Sequence, residues 1–295
     1  MKVWLLLALT LSAATDAATT RALVIAGLGG EATYREAFDS QAQAISEALA
    51  DTTDVVTLLI GSQATTDALE ATLGSWAQQS VADDALMLLY IGHGSFDEEH
   101  FRFNLPGRDP TAAQLATWLD AHPARRQLII VCGSSSGAVH EFLKAPHRTV
   151  MTATRSGGQR NATHLCGYLT RALTLKEADT DKDQEVSAEE AFAFGVSRVE
   201  AYFDRQQEMA SENPTRTGPF TTLKLAALQV YREQLAAAAP LYARRDEIEQ
   251  AIEALRAVRD DYTTEAYFSR LQQLLLDMAV VQSEIETLEN PQGDG

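Results

Sequence analysis

Cysteine, basic residues and long apolar runs are all scarce in this 295-residue chain, and each shortage excludes a class of protein. Two cysteines cannot build a disulfide scaffold, and Cys132 and Cys166 lack the close spacing and His neighbours of a zinc site. The 24 Lys and Arg residues face 41 Asp and Glu residues, for a net charge of −17, so binding along a nucleic-acid backbone is not expected. Because 45% of the residues are hydrophobic, we expect a folded protein with a substantial core.

The N-terminus carries an apolar run that is too short to span a bilayer, which needs about 20 residues. Lys2 precedes the apolar residues 4–11, and small residues follow as far as Ala17 and Ala18. This order is typical of a cleaved secretory signal peptide, which we assign to residues 1–18. The mature protein is therefore predicted to be secreted or periplasmic, exported from a bacterial-type cell, and to have no membrane span.

Five short apolar runs alternate with amphipathic stretches in the next part of the chain. Continuous apolar strands separated by helices indicate a mostly parallel sheet that is covered on both faces. We therefore predict an α/β domain over residues 19–215. In such sheets ligands bind beyond the carboxyl ends of the strands, so a site is expected in the loops that follow them. The predicted strands are 22–26, 55–60, 85–91, 127–131 and 149–153.

Residues 216–290 have the apolar spacing of long helices and are predicted to form an α-helical hairpin or coiled coil. Asp260 and Asp261 interrupt the pattern, and Thr264 is the expected N-cap of the second helix. The hairpin is open to three roles: packing within its own chain, self-association as a dimer seam, or binding a protein partner. Residues 291–295 are expected to be a frayed, disordered tail. The apolar positions are Ile248, Ile252 and Leu255, then Tyr267, Leu271, Leu274, Met278, Val281, Ile285 and Leu288.

His93 and Gly94 directly follow the third predicted strand. Glycines on both sides of His93 give the backbone freedom and leave the imidazole uncrowded at the rim of the sheet. That position suits a general base. The alternative is a histidine that is merely exposed in a turn.

A stretch of small residues follows the fourth strand, from Cys132 to Ala138. A strand that runs into small residues and then a helix can present a nucleophile together with N–H donors for an oxyanion. The alternative is a Ser/Gly turn in which Ser136 caps the helix that contains residues 142 and 143.

Taken together, these two motifs resemble the caspase and legumain group (clan CD) of cysteine peptidases, in a secreted bacterial branch, over roughly residues 21–200. The resemblance implies a caspase-like sheet flanked by helices. Tyr34 and Arg35 are similar to legumain's Tyr-Arg pair, which implies that Arg35 binds the substrate residue before the cut bond. Arg155, after the fifth strand, falls where this fold builds a wall of the substrate pocket. The first loop, residues 27–30, lacks the Asn that orients the histidine in legumain.

Alignment on Ser136-Gly137 places Ser134 in the nucleophile position of the family and Cys132 in the position of its acidic residue. A cysteine thiolate is accessible near neutral pH, whereas a serine hydroxyl must lose its proton to a base during attack. The resemblance therefore implies a peptidase homologue that is impaired or silent and acts by binding a peptide or a protein partner.

Two catalytic alternatives remain open. In one, a peptidase-type hydrolase uses His93 as base and Ser134 as nucleophile, with N–H groups of Gly94 and the turn at Gly133 and Ser134 facing the oxyanion. In the other, the register shifts so that Cys132 is the nucleophile.

Residues 179–190 match the loop of an EF-hand-like calcium site, with carboxylates at loop positions 1, 3 and 5 and Glu at position 12. Position 6 is Gln184 instead of Gly, and a non-glycine residue at positive φ costs about 1 kcal/mol. The alternative is an acidic connector in which Ser187 and Glu190 form a capping box, and both can hold at once. The candidate Ca²⁺ ligands are Asp179, Asp181, Asp183, Glu185 and Glu190.

Overall fold

The computed structural model describes residues 18–228 and residues 240–289 with gaps at 242, 246, 249–250, 253, 257 and 260–261. Its centre is a six-stranded sheet, accompanied by two short two-stranded sheets. The strands are β1 Thr20–Ala26, β2 Val55–Leu59, β3 Ala85–Ile91, β4 Gly94–Phe96, β5 Phe101–Phe103, β6 Arg126–Cys132, β7 Arg148–Thr152, β8 Glu185–Ser187, β9 Thr215–Thr217 and β10 Lys224–Ala227.

The six-stranded sheet has the order β2-β1-β3-β6-β7-β9 and is parallel except for β9, which runs antiparallel to β7. The predicted fold class, a mostly parallel α/β sheet, is confirmed, and all five predicted strands are present. The register aligns Ala26 with Ile91 and Ile91 with Cys132, so β1, β3 and β6 end at the same level. The loops after these strands therefore meet at one edge of the sheet, which we call the carboxyl edge.

Helices cover both faces of the sheet because its central strands β1, β3 and β6 are buried and mainly apolar on both sides. One core lies between the sheet and helices α1, α5 and α6, and contains Ile45, Leu169 and Val199. The opposite core lies under α2, α3 and α4 and contains Trp76 and Leu115. The helices are α1 Ala32–Leu49, α2 Thr66–Gln79, α3 Ala112–Asp120, α4 His140–Leu143, α5 Leu165–Ala172, α6 Ala188–Gln206 and α7 Thr264–Glu289.

The predicted boundary at residue 216 is wrong, because it falls inside β9. Beyond it, β10 pairs with β8, and Leu223, Leu225 and Leu228 are buried in the core beneath α1, α5 and α6. The α/β domain therefore continues to residue 228. These strands have only three and four residues, too few for apolar alternation to reveal them.

The C-terminal segment contains an apolar cluster that joins two helical stretches. The described residues between 240 and 256 are helical, and Ile248, Ile252 and Leu255 pack with α7 residues such as Leu274 and Ile285. Contact between two helices is thus confirmed. The N-cap of α7 is Thr263 and not Thr264, because Ala266 N–H donates to Thr263 Oγ1 at 3.3 Å. Among the described residues, no helix is both long enough and apolar enough to cross a membrane.

Several predictions fall outside the described residues. They are the signal peptide up to Ala17, the break at Asp260 and Asp261, the side chain of Leu288 and the tail 291–295.

Candidate functional site

The turn after β3 and the end of β6 meet at the carboxyl edge through closely packed glycines. A Cβ atom built on Gly133 would lie 2.6 Å from the Gly92 carbonyl oxygen and 3.3 Å from the Gly94 nitrogen. A Cβ atom on Gly94 would lie 2.7 Å from the Ser134 carbonyl oxygen. The two motifs that the sequence predicts to form one site are therefore in direct backbone contact, which only glycine permits at these positions.

Ser134 is buried beneath this turn, with 8% of its surface exposed. Its hydroxyl donates a hydrogen bond to the Gly94 carbonyl oxygen at 3.1 Å. The next residue, Ser135, has φ of +58°, a conformation that is uncommon for a residue with a side chain. The proton of Ser134 is thus held by a backbone carbonyl group and not by an imidazole.

His93 lies beside Ser134 in the chain fold, but its ring packs against α1. The imidazole makes edge contacts with Tyr34 and Phe38, with ring centroids 4.9 Å and 5.1 Å away. Its carbonyl oxygen accepts hydrogen bonds from Tyr90 Oη at 2.7 Å and Asn104 N at 3.2 Å. No described residue forms a hydrogen bond or ion pair with the imidazole. The sequence indicated the position of His93 but not these aromatic neighbours.

The amide of Gly94 points toward the Ser134 turn. Asn104 N–H donates to His93 O, and Asp97 N–H donates to His100 O at 3.4 Å. Hydrogen-bonded and non-hydrogen-bonded pairs alternate along an antiparallel ladder. The pair of His93 and Asn104 is bonded, so the next pair, Gly94 and Phe103, is not. The N–H and C=O groups of Gly94 therefore point away from β5. The carbonyl group meets Ser134, so the N–H faces the same side.

A second loop, which follows β7, locks the Ser134 turn in place. Ser136 Oγ accepts a hydrogen bond from Thr154 N at 3.1 Å, and Thr154 Oγ1 accepts one from Gly137 N at 2.8 Å. Ser135 N–H donates to the Gln159 carbonyl oxygen at 2.7 Å. The alternative in which Ser136 caps a helix is therefore wrong, because its buried hydroxyl joins two loops.

Cys132 and Cys166 form a disulfide, with Cα atoms 5.5 Å apart. Both residues are buried, and the bond joins the end of β6 to the first turn of α5. A sulfur in a disulfide has no thiolate to act as a nucleophile. The register that makes Cys132 the nucleophile is therefore contradicted by the structure. The sequence left open whether these cysteines pair, because it does not fix where α5 lies.

The two arginines assigned to substrate binding occupy different places. Arg35 is exposed and lines a cleft of about 260 Å³ at the end of β1, with Asp39 and the backbone of Gly27 and Gly29. Arg155 is exposed too, but it does not line that cleft. Its loop lies beside the Ser134 turn, because Arg155 N–H donates to Gln159 Oε1 at 2.8 Å and the Gln159 carbonyl oxygen accepts the bond from Ser135 N–H.

Glu212 caps the helix that carries Cys166, and its role could not be predicted from the sequence. Its two carboxylate oxygens accept hydrogen bonds from His164 N at 2.6 Å and Leu165 N at 2.9 Å, so it caps α5 one residue before Cys166. Burial raises the pKa of Glu212 to about 7, against the lowering effect of those two bonds. No sequence signal links it to α5, because 47 residues separate Glu212 from Leu165.

The acidic loop between α5 and α6 brings three predicted ligands together. One carboxylate oxygen from each of Asp179, Asp181 and Asp183 lies within 4.8 Å of the others, an arrangement that could bind a metal ion. Gln184 has φ of +73°, as expected for position 6 of the loop. Its N–H donates to Asp179 Oδ2 at 3.1 Å and closes the turn.

Glu185 and Glu190 are not part of that group. Both Glu190 oxygens already accept hydrogen bonds, Oε1 from Thr180 N at 2.8 Å and Oε2 from Ser187 N at 2.9 Å. Burial alone would raise the pKa of Glu190, but its bonds to Ser187 and Thr180 outweigh burial and lower it to about 2. The predicted capping box of Ser187 and Glu190 is confirmed. Lys224, on β10, forms ion pairs with Asp183 and Glu185.

The comparisons with known proteins assign no family. No family model and no curated protein matches this chain. Among solved structures, protein GSU0716 of Geobacter sulfurreducens is similar over 72% of this chain and 99% of its own, with 14% identity and a TM-score of 0.45. A similarity of that size says nothing about function.

Proposed function

We propose that this protein is an exported, catalytically silent homologue of the caspase and legumain peptidases that binds a peptide at the carboxyl edge of its sheet. The observation that carries the proposal is the hydrogen bond from Ser134 Oγ to Gly94 O. A serine nucleophile needs a base that accepts its proton during attack. Here the proton is directed to a carbonyl oxygen, while the His93 ring packs on Tyr34 and Phe38.

Peptide binding is supported by a backbone donor and two charged side chains at the carboxyl edge. The Gly94 N–H faces the Ser134 turn, and Arg35 and Asp39 supply opposite charges in the neighbouring cleft. An extended peptide presents carbonyl oxygens and side chains that such groups can bind. The ligand class we propose is therefore an extended peptide segment, held without cleavage.

An active hydrolase is the second candidate, and the Gly94 amide favours it. A backbone N–H beside a buried serine is the kind of donor that stabilises an oxyanion. The left-handed conformation of Ser135 is also typical of residues next to functional groups. In this version His93 would rotate from its aromatic neighbours toward Ser134 when substrate binds.

A fluorophosphonate probe and a fluorogenic peptide library separate the two candidates. We expect neither labelling nor turnover by the mature protein. Ser134→Ala is the test variant, and Ser95→Ala, an exposed serine on the adjacent β4, is the matched control. Labelling that disappears in Ser134→Ala and His93→Ala but persists in Ser95→Ala would establish the hydrolase.

Binding is tested separately with a peptide library immobilised on beads. We expect retained peptides, and we expect Arg35→Gln to change which peptides are retained while Arg270→Gln, an exposed control on α7, does not. If no peptide is retained, or if Arg35→Gln retains the same set, peptide binding at this edge is refuted.

We also propose that the acidic loop, residues 179–190, binds Ca²⁺. Three carboxylates in one turn offer the oxygen ligands that this hard cation prefers. Asp179, Asp181 and Asp183 would hold the ion, while Glu190 maintains the loop as a capping residue. Bound calcium would stabilise the junction of α6 with β8 and β10.

Thermal unfolding tests the calcium proposal. We expect millimolar Ca²⁺ to raise the melting temperature of the mature protein, and Asp181→Asn to reduce that rise. Asp204→Asn, an exposed carboxylate on α6, should leave the rise unchanged. A melting temperature indifferent to calcium would refute the proposal.

The proposed secreted or periplasmic location is supported by the buried disulfide, since such bonds persist in oxidising compartments. The proposed self-association or partner binding of the hairpin is supported by exposed apolar side chains on α7. Phe268, Leu275, Leu276 and Val280 are each more than half exposed. Sedimentation of the mature protein and of Leu275→Asp would show whether this surface joins two copies.

A further inference from the structure

A second cleft, of about 320 Å³, opens at the amino edge of the sheet, where β6 and β7 begin. Arg126 starts β6, whose seven residues end at Cys132, so about 20 Å of strand separates this cleft from the Ser134 turn. His147 and Thr149 contribute one wall, and the segment 219–223 between β9 and β10 contributes the other. The cleft therefore belongs to a different part of the molecule from the proposed peptide site.

The cleft concentrates positive charge on a protein whose net charge is −17. Arg125 and Arg126 line it, and both are exposed. Arg126 makes one hydrogen bond, to the Asp83 carbonyl oxygen at 3.2 Å, and the Arg125 guanidinium forms none with the part of the chain that the structure describes. Arginine carries five N–H donors in a planar fork, so most of the donors of these two residues have no partner among the described residues.

No described Asp or Glu residue lines the cleft, and two carboxylates of adjoining elements are paired with other arginines. Asp120 binds Arg148, which is buried, at 2.8 Å, and Glu189 binds Arg216 at 2.8 Å. Burial and the positive charges of Arg148 and Arg125 lower the pKa of His147, against the raising effect of Asp120. Neither Arg125 nor Arg126 forms an ion pair with another residue in the part of the chain that the structure describes, so both positive charges are available to a ligand.

The remaining lining is apolar or carries hydroxyl groups. Phe220 is 73% exposed at the rim, although it is a large apolar side chain. Leu223 and Pro146 also line the cleft, and Thr222 adds an exposed hydroxyl group. Bidentate guanidinium groups select carboxylate and phosphate groups, whereas an exposed ring selects an apolar or planar body.

We propose that this cleft binds a small organic anion, with a carboxylate or phosphate group on Arg125 and Arg126 and an apolar or aromatic body against Phe220. A volume of this size is at the lower end of the range for ligand pockets, which favours a small molecule.

The test is a titration of the mature protein with phenyl phosphate, benzoate, inorganic phosphate and the neutral ring compound benzyl alcohol, followed by ligand-observed NMR. We expect phenyl phosphate or benzoate to bind better than benzyl alcohol, and the stronger of the two identifies the anionic group. Arg125→Gln should weaken that binding about tenfold or more, since a charge-assisted contact is lost. Arg270→Gln removes the same charge outside the cleft and should have no effect.

Phe220→Ala provides a second variant at an exposed position, which is not expected to disturb folding. It should weaken phenyl phosphate or benzoate while leaving inorganic phosphate unchanged. The proposal is overturned if benzyl alcohol binds equally well, if Arg125→Gln and Arg126→Gln both retain full affinity, or if no anion binds at concentrations up to about 10 mM. The melting temperature of each variant confirms that it is folded.

Discussion

The Ser134 turn and the acidic loop 179–190 are built in opposite ways. At the Ser134 turn, glycine backbones fit together within a few ångströms, but the side chains of Ser134 and His93 have separate partners. In the acidic loop, three carboxylates lie close together, and the backbone is strained at Gln184, a non-glycine residue whose φ is +73°. The first region brings the backbones of two motifs together without joining their side chains, and the second brings carboxylates together on a backbone that lacks the expected glycine.

The contrast indicates which part of each region is open to change. The backbone contacts at the Ser134 turn leave no room for an added side chain, so this turn is expected to be sensitive to substitution of its glycines. The carboxylates of the acidic loop are close together in the sequence, and the loop keeps its turn despite a backbone strain of about 1 kcal/mol at Gln184.

The largest effect is expected from removal of the disulfide beneath the Ser134 turn. The double variant Cys132→Ala/Cys166→Ala opens a loop of 34 residues, which should lower the free energy of unfolding by about 3–4 kcal/mol. Urea unfolding measures the loss. Thiol titration of the unaltered protein, denatured without a reductant, should detect no free cysteine. The calcium-induced rise in melting temperature should survive. Two free thiols per chain in the unaltered protein would contradict the prediction.

The next effect concerns the glycine contact itself. Gly133→Ala places a Cβ atom 2.6 Å from the Gly92 carbonyl oxygen, so the backbone must shift, at a cost of about 1–3 kcal/mol. Gly74→Ala, on α2, is the matched control, because its Cβ atom meets nothing within 4 Å and should stabilise the helix by up to about 1 kcal/mol. Equal urea midpoints for the two variants would show that the turns are looser than the structure indicates.

Most of the sheet could be predicted from the sequence because strands β1, β2, β3 and β6 consist mainly of apolar residues. The predicted run 85–91 coincides with β3, and all of its residues are buried. Strands β9 and β10 could not be predicted, since three or four residues show no usable period and their pairing comes from distant parts of the chain. The sequence pattern therefore predicts an end of the α/β domain at residue 215, whereas the domain continues to residue 228.

The two candidate sites differ in the same way. The convergence of Asp179, Asp181 and Asp183 could be predicted because all three lie within a single turn. The bond from Ser134 to Gly94 spans 40 residues, and the contacts of His93 with Tyr34 and Phe38 depend on how α1 packs. The spacing of residues in the sequence indicates neither contact. It therefore predicts that His93 and Ser134 lie at the same edge of the sheet, but not which groups they contact.

Glu212 gives the Ser134 region a pH dependence. Its pKa is raised to about 7 in the folded protein from an ordinary value near 4.5, so the folded state binds the proton more tightly than the unfolded state. Its contribution to stability is fully present below about pH 4.5 and is lost as the pH rises through about 7, with a magnitude on the order of 2 kcal/mol. Urea unfolding at pH 5 and pH 8 measures the difference. Glu212→Gln should flatten it, whereas Glu208→Gln, an exposed control, should not.

The smallest effect tests the strain in the acidic loop. Gln184→Gly removes the penalty of a side chain at φ of +73°, but glycine also gains conformational freedom in the unfolded chain. The net stabilisation should therefore be below about 1 kcal/mol.

Gln207→Gly is the matched control, because Gln207 has φ of +57° at the C-terminal end of α6, outside the loop. Both variants should raise the urea midpoint by similar amounts in the absence of metal. If the strain grows when the loop closes on an ion, only Gln184→Gly should also increase the calcium-induced rise in melting temperature. If Gln184→Gly lowers the urea midpoint, the side chain of Gln184 stabilises the loop. The backbone strain of the loop would then be assigned to Lys182, whose φ is +61°.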